Sequence, residues 1–600
     1  MLKSFRRLFV IYRKYRAKLI FSQVLLLISA LASLGVAAQS QGLINEGIIG
    51  SDARVIVVRG IWMAVLALVA GGAMAGTASF AVFFAQGTAY VLRVYLYNKV
   101  QTFSFANFDQ FRTGNLMVRL NADVNNIATA VMYSVMLVLY APLMLLVAFL
   151  LSLITAPGLV WILIAVAVVV VAIMAVLVPQ IFRAYDERQK RLDEVNNTLQ
   201  ENLAGVRVVK AFVREALENE RFEGRADKMR QAAFAAAFRV ALFNPILTSI
   251  AWISITVAVW VGGAQVLQGT GLTVGQLTTF MQYLTMVISP LALLSVVVPF
   301  ILRGDTSARR IFEVYDAEPV VQDRDGAQPL APEQVQGRLA FENVTFSFRR
   351  PDGELDPPAL KDINLTIEPG QRVGFLGATG AGKTALVNLI PRFYDTTHGR
   401  ITIDGVDVRD IPQENLRQIV GIALQEALLF QGDVRTNLKF GNPEVDDEVM
   451  VDAAKAADSY GFVTNLPEGW DAPVARRGYN FSGGQRQRLS ITRTLTALPR
   501  ILILDDSTSA LDVATEARVQ DAIPAFTDNV TTLYVAQRIS AVIDLDQIVL
   551  LENGQIVARG THEELMESSP LYREIYESQL GSGITAGLDT EAIAGTEVQK

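Results

Sequence analysis

Charge spacing divides this chain before any motif is read. Runs without a single Asp, Glu, Lys or Arg extend from Leu19 to Asn45, Gly60 to Leu92, Val124 to Phe182 and Val240 to Leu302. A charged side chain at a bilayer centre costs about 2.5–3.5 kcal/mol even on the lenient insertion scale, so these runs predict membrane spans. The first two suit one helix each, at about 20 apolar residues per crossing. The last two are too long for one helix and break at turn chemistry, Pro157-Gly158 and Gly269-Thr270-Gly271, which predicts a helical hairpin in each. Six spans result. The charged segments Arg93 to Asp123 and Arg183 to Arg239 keep helical periodicity and lack Gly/Pro clusters. At about 1.5 Å per residue, the second, folded back on itself, would carry the membrane helices roughly 40 Å into the cytoplasm as a stalk.

Composition and charge sharpen this picture. Hydrophobic residues make up 51% and charged residues 19%, too apolar a balance for a water-facing surface alone. Lys3, Arg6, Arg7, Arg13, Lys14, Arg16 and Lys18 precede the first span without an acidic residue, which places the N-terminus in the cytoplasm. After six spans the C-terminal half returns there, in a multi-pass protein of the cytoplasmic membrane. A cleaved signal peptide ending near Ala37-Ala38 is the competing reading, and the long basic region and the later spans weigh against it. With no cysteine and two histidines, disulfides, thiolate metal sites and imidazole-rich metal centres are excluded. A net charge of −6 without a basic stripe outside the cytoplasmic loops speaks against a nucleic-acid partner.

From about Asp316 the composition becomes that of a globular domain. The expected organisation is a transmembrane domain over 1–315, a proline-bearing linker over 316–337, an α/β domain over 338–580 and a disordered tail over 581–600. Strands are predicted at Leu339 to Phe348, Asp362 to Ile367 and Arg372 to Leu376. The last runs into Gly377-Ala378-Thr379-Gly380-Ala381-Gly382-Lys383-Thr384, a P-loop in its strand-to-helix setting. Glycines let backbone N–H groups close around phosphate oxygens, the helix N-terminus adds its positive end, Lys383 pairs with the β/γ-phosphates and Thr384 reaches Mg²⁺. Downstream, Ile501 to Asp505 reads as a buried parallel strand delivering the Asp505 carboxylate to Mg²⁺ at its C-terminal end.

Between these motifs stands Phe481-Ser482-Gly483-Gly484-Gln485, followed by Arg486-Gln487-Arg488, which resembles the signature sequence of ATP-binding cassette proteins. Gln425 is similar to the family's Q-loop residue and Ser509-Ala510-Leu511-Asp512 to its D-loop. With six preceding spans, the whole chain resembles a half-size ABC exporter. Phe108-Asp109, Thr113-Gly114 and Arg119-Leu120, and later Gly205 to Phe212, occupy the places of the family's coupling helices. The resemblance implies a six-helix all-α transmembrane domain with long cytoplasmic extensions, followed by an α/β P-loop nucleotide-binding domain. It implies a dimer with a second ABC half-transporter, two ATP molecules being held between the P-loop of one subunit and the signature of the other. It also implies that Phe348 stacks on adenine and that Gln425 joins Thr384 and Asp505 at Mg²⁺; a core strand position is the plainer reading of Phe348.

Three positions depart from the family pattern. After Asp505 the family carries a glutamate acting on the attacking water, and here stands Asp506, one methylene shorter. A base must come within about 2.6–3.2 Å of the proton it takes, so withdrawal by roughly 1.5 Å removes the contact. Gln537 replaces the switch histidine, and Arg476 stands where a cross-talk loop usually has glutamate. The first two strike both groups acting on the γ-phosphate and leave every nucleotide-holding element intact. This resembles the degenerate subunit of heterodimeric bacterial exporters, with the intact Ser482, Gly483, Gly484 and Gln485 serving the partner's competent site; a homodimer with slow sites is the alternative. Few ionisable groups fall in the spans, where Gln86, Asn244 and Gln282 are neutral and Arg59 lies near an outer end. Amphipathic drugs, lipids or hydrophobic peptides are therefore expected cargo rather than an inorganic ion. An importer of a chelated metal and an ATP-gated channel use the same cassette, but the chain shows neither a substrate-reducing domain nor an added regulatory domain.

Overall fold

The computed structural model describes residues 7, 16–269, 271–350, 353–527 and 529–581. Apart from Gly581, the tail expected to be disordered lies outside the described residues, as does most of the basic N-terminal stretch. The chain forms two compact units, Met1–Gln101 with Gly114–Ala317, and Thr102–Thr113 with Glu318–Lys600. In chain order the first helices are α1 Arg16–Gly42, α2 Ala53–Gln101, α3 Phe105–Phe111, α4 Thr113–Val118, α5 Val124–Tyr133, α6 Tyr140–Thr155, α7 Val160–Ala204, α8 Val206–Ala211, α9 Glu215–Leu267 and α10 Val274–Asp316.

Among the described residues, five helical segments are long and apolar enough to cross a membrane: Arg16–Ile49, Ala53–Gln101, Thr113–Thr155, Pro157–Ala204 and Glu215–Leu267. The sixth expected span falls within α10. The break expected at Pro157-Gly158 is a single tight turn, Pro157–Leu159. Helix contacts in this unit are apolar, with Leu34, Met144, Leu163, Phe280 and Tyr283 in one buried cluster. Some buried hydroxyls bond the backbone of neighbouring helices: Ser29 Oγ donates to the Ala70 carbonyl at 3.0 Å and Thr279 Oγ1 to that of Ala37 at 3.2 Å. Such pairing is what a helix bundle needs when no water reaches its interior. Arg59 is neutralised in place, donating to Gln39 Oε1 at 2.8 Å and to Glu46 Oε2 at 3.1 Å.

One charge of this unit is fully enclosed. Asp123, 1% exposed, accepts from Ser307 Oγ at 2.8 Å and from Arg310 Nε at 2.9 Å, and Arg310 Nη2 also donates to it. The pair ties the start of α5 to α10.

In the second unit, β1 Leu339–Phe346, β2 Leu360–Ile367, β4 His398–Ile403 and β5 Val406–Asp407 form an antiparallel sheet in the order β2-β1-β4-β5. The strand expected to reach Phe348 thus ends at Phe346. There the Ser347 N–H turns to Thr397 Oγ1 at 3.0 Å. The larger sheet has the order β12-β11-β3-β10-β9-β6, from β3 Arg372–Leu376, β6 Val420–Ala423, β9 Ile501–Asp505, β10 Thr531–Ala536, β11 Gln547–Glu552 and β12 Gln555–Gly560. All its pairings are parallel except β11 with β12. β9 and β10 are buried along their whole length, as befits parallel strands covered on both faces. A two-stranded ribbon, β7 Gly432–Asp433 with β8 Pro473–Val474, lies outside this core. The helices that matter for function are α11 Lys383–Leu389, α12 Gly483–Thr496, α13 Val513–Phe526, α14 His562–Ser568 and α15 Pro570–Tyr576.

Helix α3 belongs to this second unit. Phe105 stacks on Phe393 with centroids 4.2 Å apart, Tyr394 Oη donates to Asp109 Oδ2 at 2.8 Å, and Asn107 bonds the Glu318 carbonyl and the Val320 N–H. Burial and the Asp109 carboxylate raise the Tyr394 phenol far above its ordinary range.

Removing one partner of a buried ion pair strands the other, typically at about 3–5 kcal/mol. Arg310 is itself 43% exposed, so Arg310→Met is expected to destabilise the detergent-solubilised protein by about 3 kcal/mol. Arg310→Met combined with Asp123→Asn should recover most of that loss, and thermal unfolding of the two variants checks it.

Candidate functional site

Strand order assembles the site. β10 lies between β3 and β9, with Ala536 opposite Leu376 and Val535 opposite Asp505, while β6 flanks β9 with Ala423 opposite Leu504. The segments leaving the C-terminal ends of these four strands are the loop 377–382, Gln537, Asp505-Asp506 and Gln425, and they converge although up to 160 positions separate Gly377 from Gln537. This edge is where parallel α/β sheets bind ligands.

The loop 377–382 is shaped for an anion. Gly382 has φ +102° immediately before α11, a conformation that favours glycine. A Cβ on Gly377 would stand 2.3 Å from the Leu551 carbonyl oxygen. Lys383 is buried and its Nζ donates to the Gly377 and Ala378 carbonyls at 2.6 and 3.1 Å. Burial lowers its pKa, with Asp506 and Asp505 opposing the shift. An ammonium folded into its own loop is available to a phosphate entering there.

Thr384 Oγ1 donates to Asp505 Oδ1 at 3.1 Å. Burial pushes Asp505 up to about 6, against the Thr384 hydrogen bond. A hydroxyl beside a buried carboxylate at the mouth of a phosphate loop is a donor set suited to Mg²⁺. Asp506 has φ +48°, and its Oδ2 accepts from Gln425 Nε2 at 3.2 Å and from Gln537 Nε2 at 3.4 Å. Burial raises this carboxyl too, opposed by Lys383 and Arg538. Phe348 lies past the end of β1, half-buried, with its ring edge-on to Phe346 at 4.8 Å and to Tyr394 at 5.5 Å.

Ser482, Gly483, Gly484 and Gln485 stand apart from this cluster. Ser482 caps α12, its Oγ accepting from the Gln485 N–H at 3.2 Å while Gln485 Oε1 accepts from the Ser482 N–H at 2.9 Å. A hollow of about 380 Å³ opens over Ser482, Gly483 and Gly484, bounded by Ala510 to Asp512. Another, of about 560 Å³, adjoins the loop 377–381 and Gln537. Arg476 is exposed on the turn before the signature.

Sequence reasoning missed the groups that brace these loops. Gln487 donates to Ser509 Oγ at 3.1 Å and accepts from the Ala510 N–H at 2.8 Å. Arg538 Nη2 reaches the Ser509 carbonyl at 3.3 Å, and Gln579 bonds the backbone on both sides of Arg538. Gln487 was visible as part of Arg486-Gln487-Arg488; nothing in sequence spacing marks Gln579.

Comparison with known proteins agrees with both halves of the chain. Residues 19–291 match the ABC transporter transmembrane region and residues 360–509 the ABC transporter domain. The chain is 35% identical over 542 residues to the uncharacterized ABC transporter ATP-binding protein YfiB of Bacillus subtilis, covering 90% of this chain and 92% of that one. It is 33% identical over 579 residues to an ATP-dependent lipid A-core flippase of Syntrophus aciditrophicus, covering 96% and 94%. A putative multidrug export ATP-binding/permease protein of Staphylococcus aureus is 37% identical over 393 residues, 66% of this chain and 67% of that one. In fold, the chain matches the structure of a bacterial Atm1-family ABC exporter with ATP bound at a TM-score of 0.76 and 24% identity, over 94% and 98% of the two chains.

The Gly377 contact is with backbone and has no flexible end to yield. Gly377→Ala is therefore expected to distort the loop at about 1–3 kcal/mol and to weaken nucleotide binding at least tenfold, as equilibrium titration with ATP would show.

Proposed function

Because the chain belongs to the ATP-binding cassette transporter family, as a half-size exporter that couples ATP hydrolysis to transport, we propose that it supplies the degenerate ATP site of a heterodimer. In this reading it moves amphipathic or hydrophobic compounds outward across the cytoplasmic membrane, both its termini being cytoplasmic. The observation that carries the reading is the state of Asp506. The carboxylate standing where a base is expected is short, and it already accepts from two side-chain amides, Gln425 and Gln537. A neutral amide at 537 brings no positive charge to a γ-phosphate, and a carboxylate engaged by two amides is poorly placed to take a proton from water.

Binding groups, by contrast, are complete. In this assignment the loop 377–382 cradles the phosphates with its N–H groups, Lys383 exchanges its two carbonyl partners for the β/γ-phosphates, and Phe348 offers a ring to adenine. Thr384, Asp505 and Gln425 would hold Mg²⁺, which when bound offsets phosphate charge. Ser482 with the N–H groups of Gly483 and Gly484 acts away from its own P-loop, completing the partner's site across the dimer. The exposed apolar residues around α8, Val206, Val208, Phe212 and Val213, support a second chain covering this surface.

Cargo follows from the spans and the relatives. Arg59, near the outer end of the second predicted span, is neutralised by Glu46, and similar proteins are named a lipid A-core flippase and a multidrug export protein.

The purified chain alone is expected to bind MgATP and to hydrolyse it poorly; turnover like that of an ordinary homodimeric exporter would overturn the assignment. Asp506→Glu should restore hydrolysis only in part and the pair with Gln537→His much more, because groups acting as a unit are non-additive. In the assembled heterodimer, Ser482→Ala should lower steady-state hydrolysis by about 10²–10³, as loss of a transition-state donor does, and Asp506→Asn far less. The opposite order would exchange the competent and degenerate sites.

A further inference from the structure

The C-terminal segment is built into the switch loop. Helix α15 is fixed by Tyr572, fully buried in one cluster with Ile539, Ala541, Val542 and Leu565, and its hydroxyl bonds His562 Nδ1 at 2.8 Å. Ile539 and Ala541 belong to the segment that follows Gln537, so helix and loop share one core. Beyond α15 the chain continues as a helical turn, Glu577–Gly581, that presents Gln579. Its Oε1 accepts from the Ile539 N–H at 2.8 Å and its Nε2 donates to the Gln537 carbonyl at 3.0 Å. One primary amide thus satisfies the backbone donor and the backbone acceptor that bracket Arg538. Gln579 also lines the same hollow as Thr379, Gly380, Ala381 and Gln537.

We propose that Gln579 is a positioning residue for the nucleotide site. It fixes the backbone at Gln537, and so sets where the Gln537 amide meets the terminal phosphate. Two hydrogen bonds from one planar amide restrict both translation and rotation of the peptide they hold. On the opposite side Arg538 grips the Ser509 carbonyl, so the loop is held from the C-terminal segment and from the D-loop at once. A loop held in this way presents the Gln537 side chain in one place, and its amide already reaches Asp506 Oδ2. Loosening the brace lets Gln537 move without disturbing the loop 377–382, Lys383 or Phe348. Recognition of the β-phosphate and base should then persist while recognition of the γ-phosphate weakens. The proposal rests on the reading of Gln537 as the group facing the γ-phosphate and is independent of the heterodimer.

The test compares MgATP and MgADP affinities of the full-length chain, purified in detergent, for Gln579→Met, Gln537→Ala and the double variant. Methionine keeps length and shape and removes both hydrogen bonds. Gln579→Met should leave MgADP affinity unchanged and reduce the preference for MgATP over MgADP about fivefold, the worth of a typical net hydrogen bond. Gln537→Ala should reduce that preference about tenfold, since it removes a hydrogen bond to a charged group. The double variant should match Gln537→Ala alone, because the brace acts only through that side chain. A Gln537→Ala effect with no change in Gln579→Met overturns the proposal and leaves the site reading standing. Equal losses of ATP and ADP affinity in Gln579→Met, or additive effects in the double variant, assign Gln579 a general structural role instead. No effect of Gln537→Ala removes the premise, and the proposal falls with it.

Discussion

The nucleotide site hangs on the parallel register of four neighbouring strands. β3, β10, β9 and β6 end on the same side of the sheet, neighbouring ends differing by at most one residue, so that the loop 377–382, Gln537, Asp505-Asp506 and Gln425 emerge at one edge. A parallel pair cannot be closed by a tight turn, so each crossover is long and the residues it brings together lie far apart in sequence. β9 and β10 are buried throughout, so any register shift would have to repack both faces at once. A one-residue slip of β9 would send the Asp505 side chain to the opposite face and separate it from Thr384.

Asp506 shows how much a single methylene changes within such a frame. Its backbone is set by the end of β9 and cannot advance toward a phosphate to compensate for a shorter side chain. The side-chain amides of Gln425 and Gln537 both donate to its Oδ2, at 3.2 and 3.4 Å. In the proposed reading the departures at 506 and 537 act together: a shorter carboxylate, and an amide that donates to it where the family has a histidine.

Much of this was legible because the relevant forces act locally along the chain. Charge-free runs report the cost of charge in lipid residue by residue, and the P-loop carries its strand, its turn and its helix within a few positions. What escaped was every contact between a side-chain amide and a distant backbone: Asn107 on Glu318 and Val320, Gln487 on the D-loop, Gln579 on the switch loop. An amide satisfies a donor and an acceptor wherever tertiary packing leaves a pair unmet, and no periodicity encodes where that will be. The strand end at Phe346 was missed for a related reason. Phe346, Ser347 and Phe348 read as strand by propensity, and the side chain of Thr397, about fifty residues away, captures the Ser347 N–H.

Phe348 leaves the strand and enters an aromatic group. Its ring meets Tyr394 edge-on at 5.5 Å, Tyr394 meets Phe105 of α3 at 6.3 Å, and Phe393 stacks on Phe105 at 4.2 Å. Aromatic pairs of this kind contribute about 0.5–1.5 kcal/mol each beyond the area they bury, and Asp109 adds a charged hydrogen bond to Tyr394. The short helix that follows α2 in sequence and the ring proposed to receive adenine are thus joined by consecutive ring contacts within one unit, so in the proposed reading a shift of that ring on binding adenine is felt first at α3.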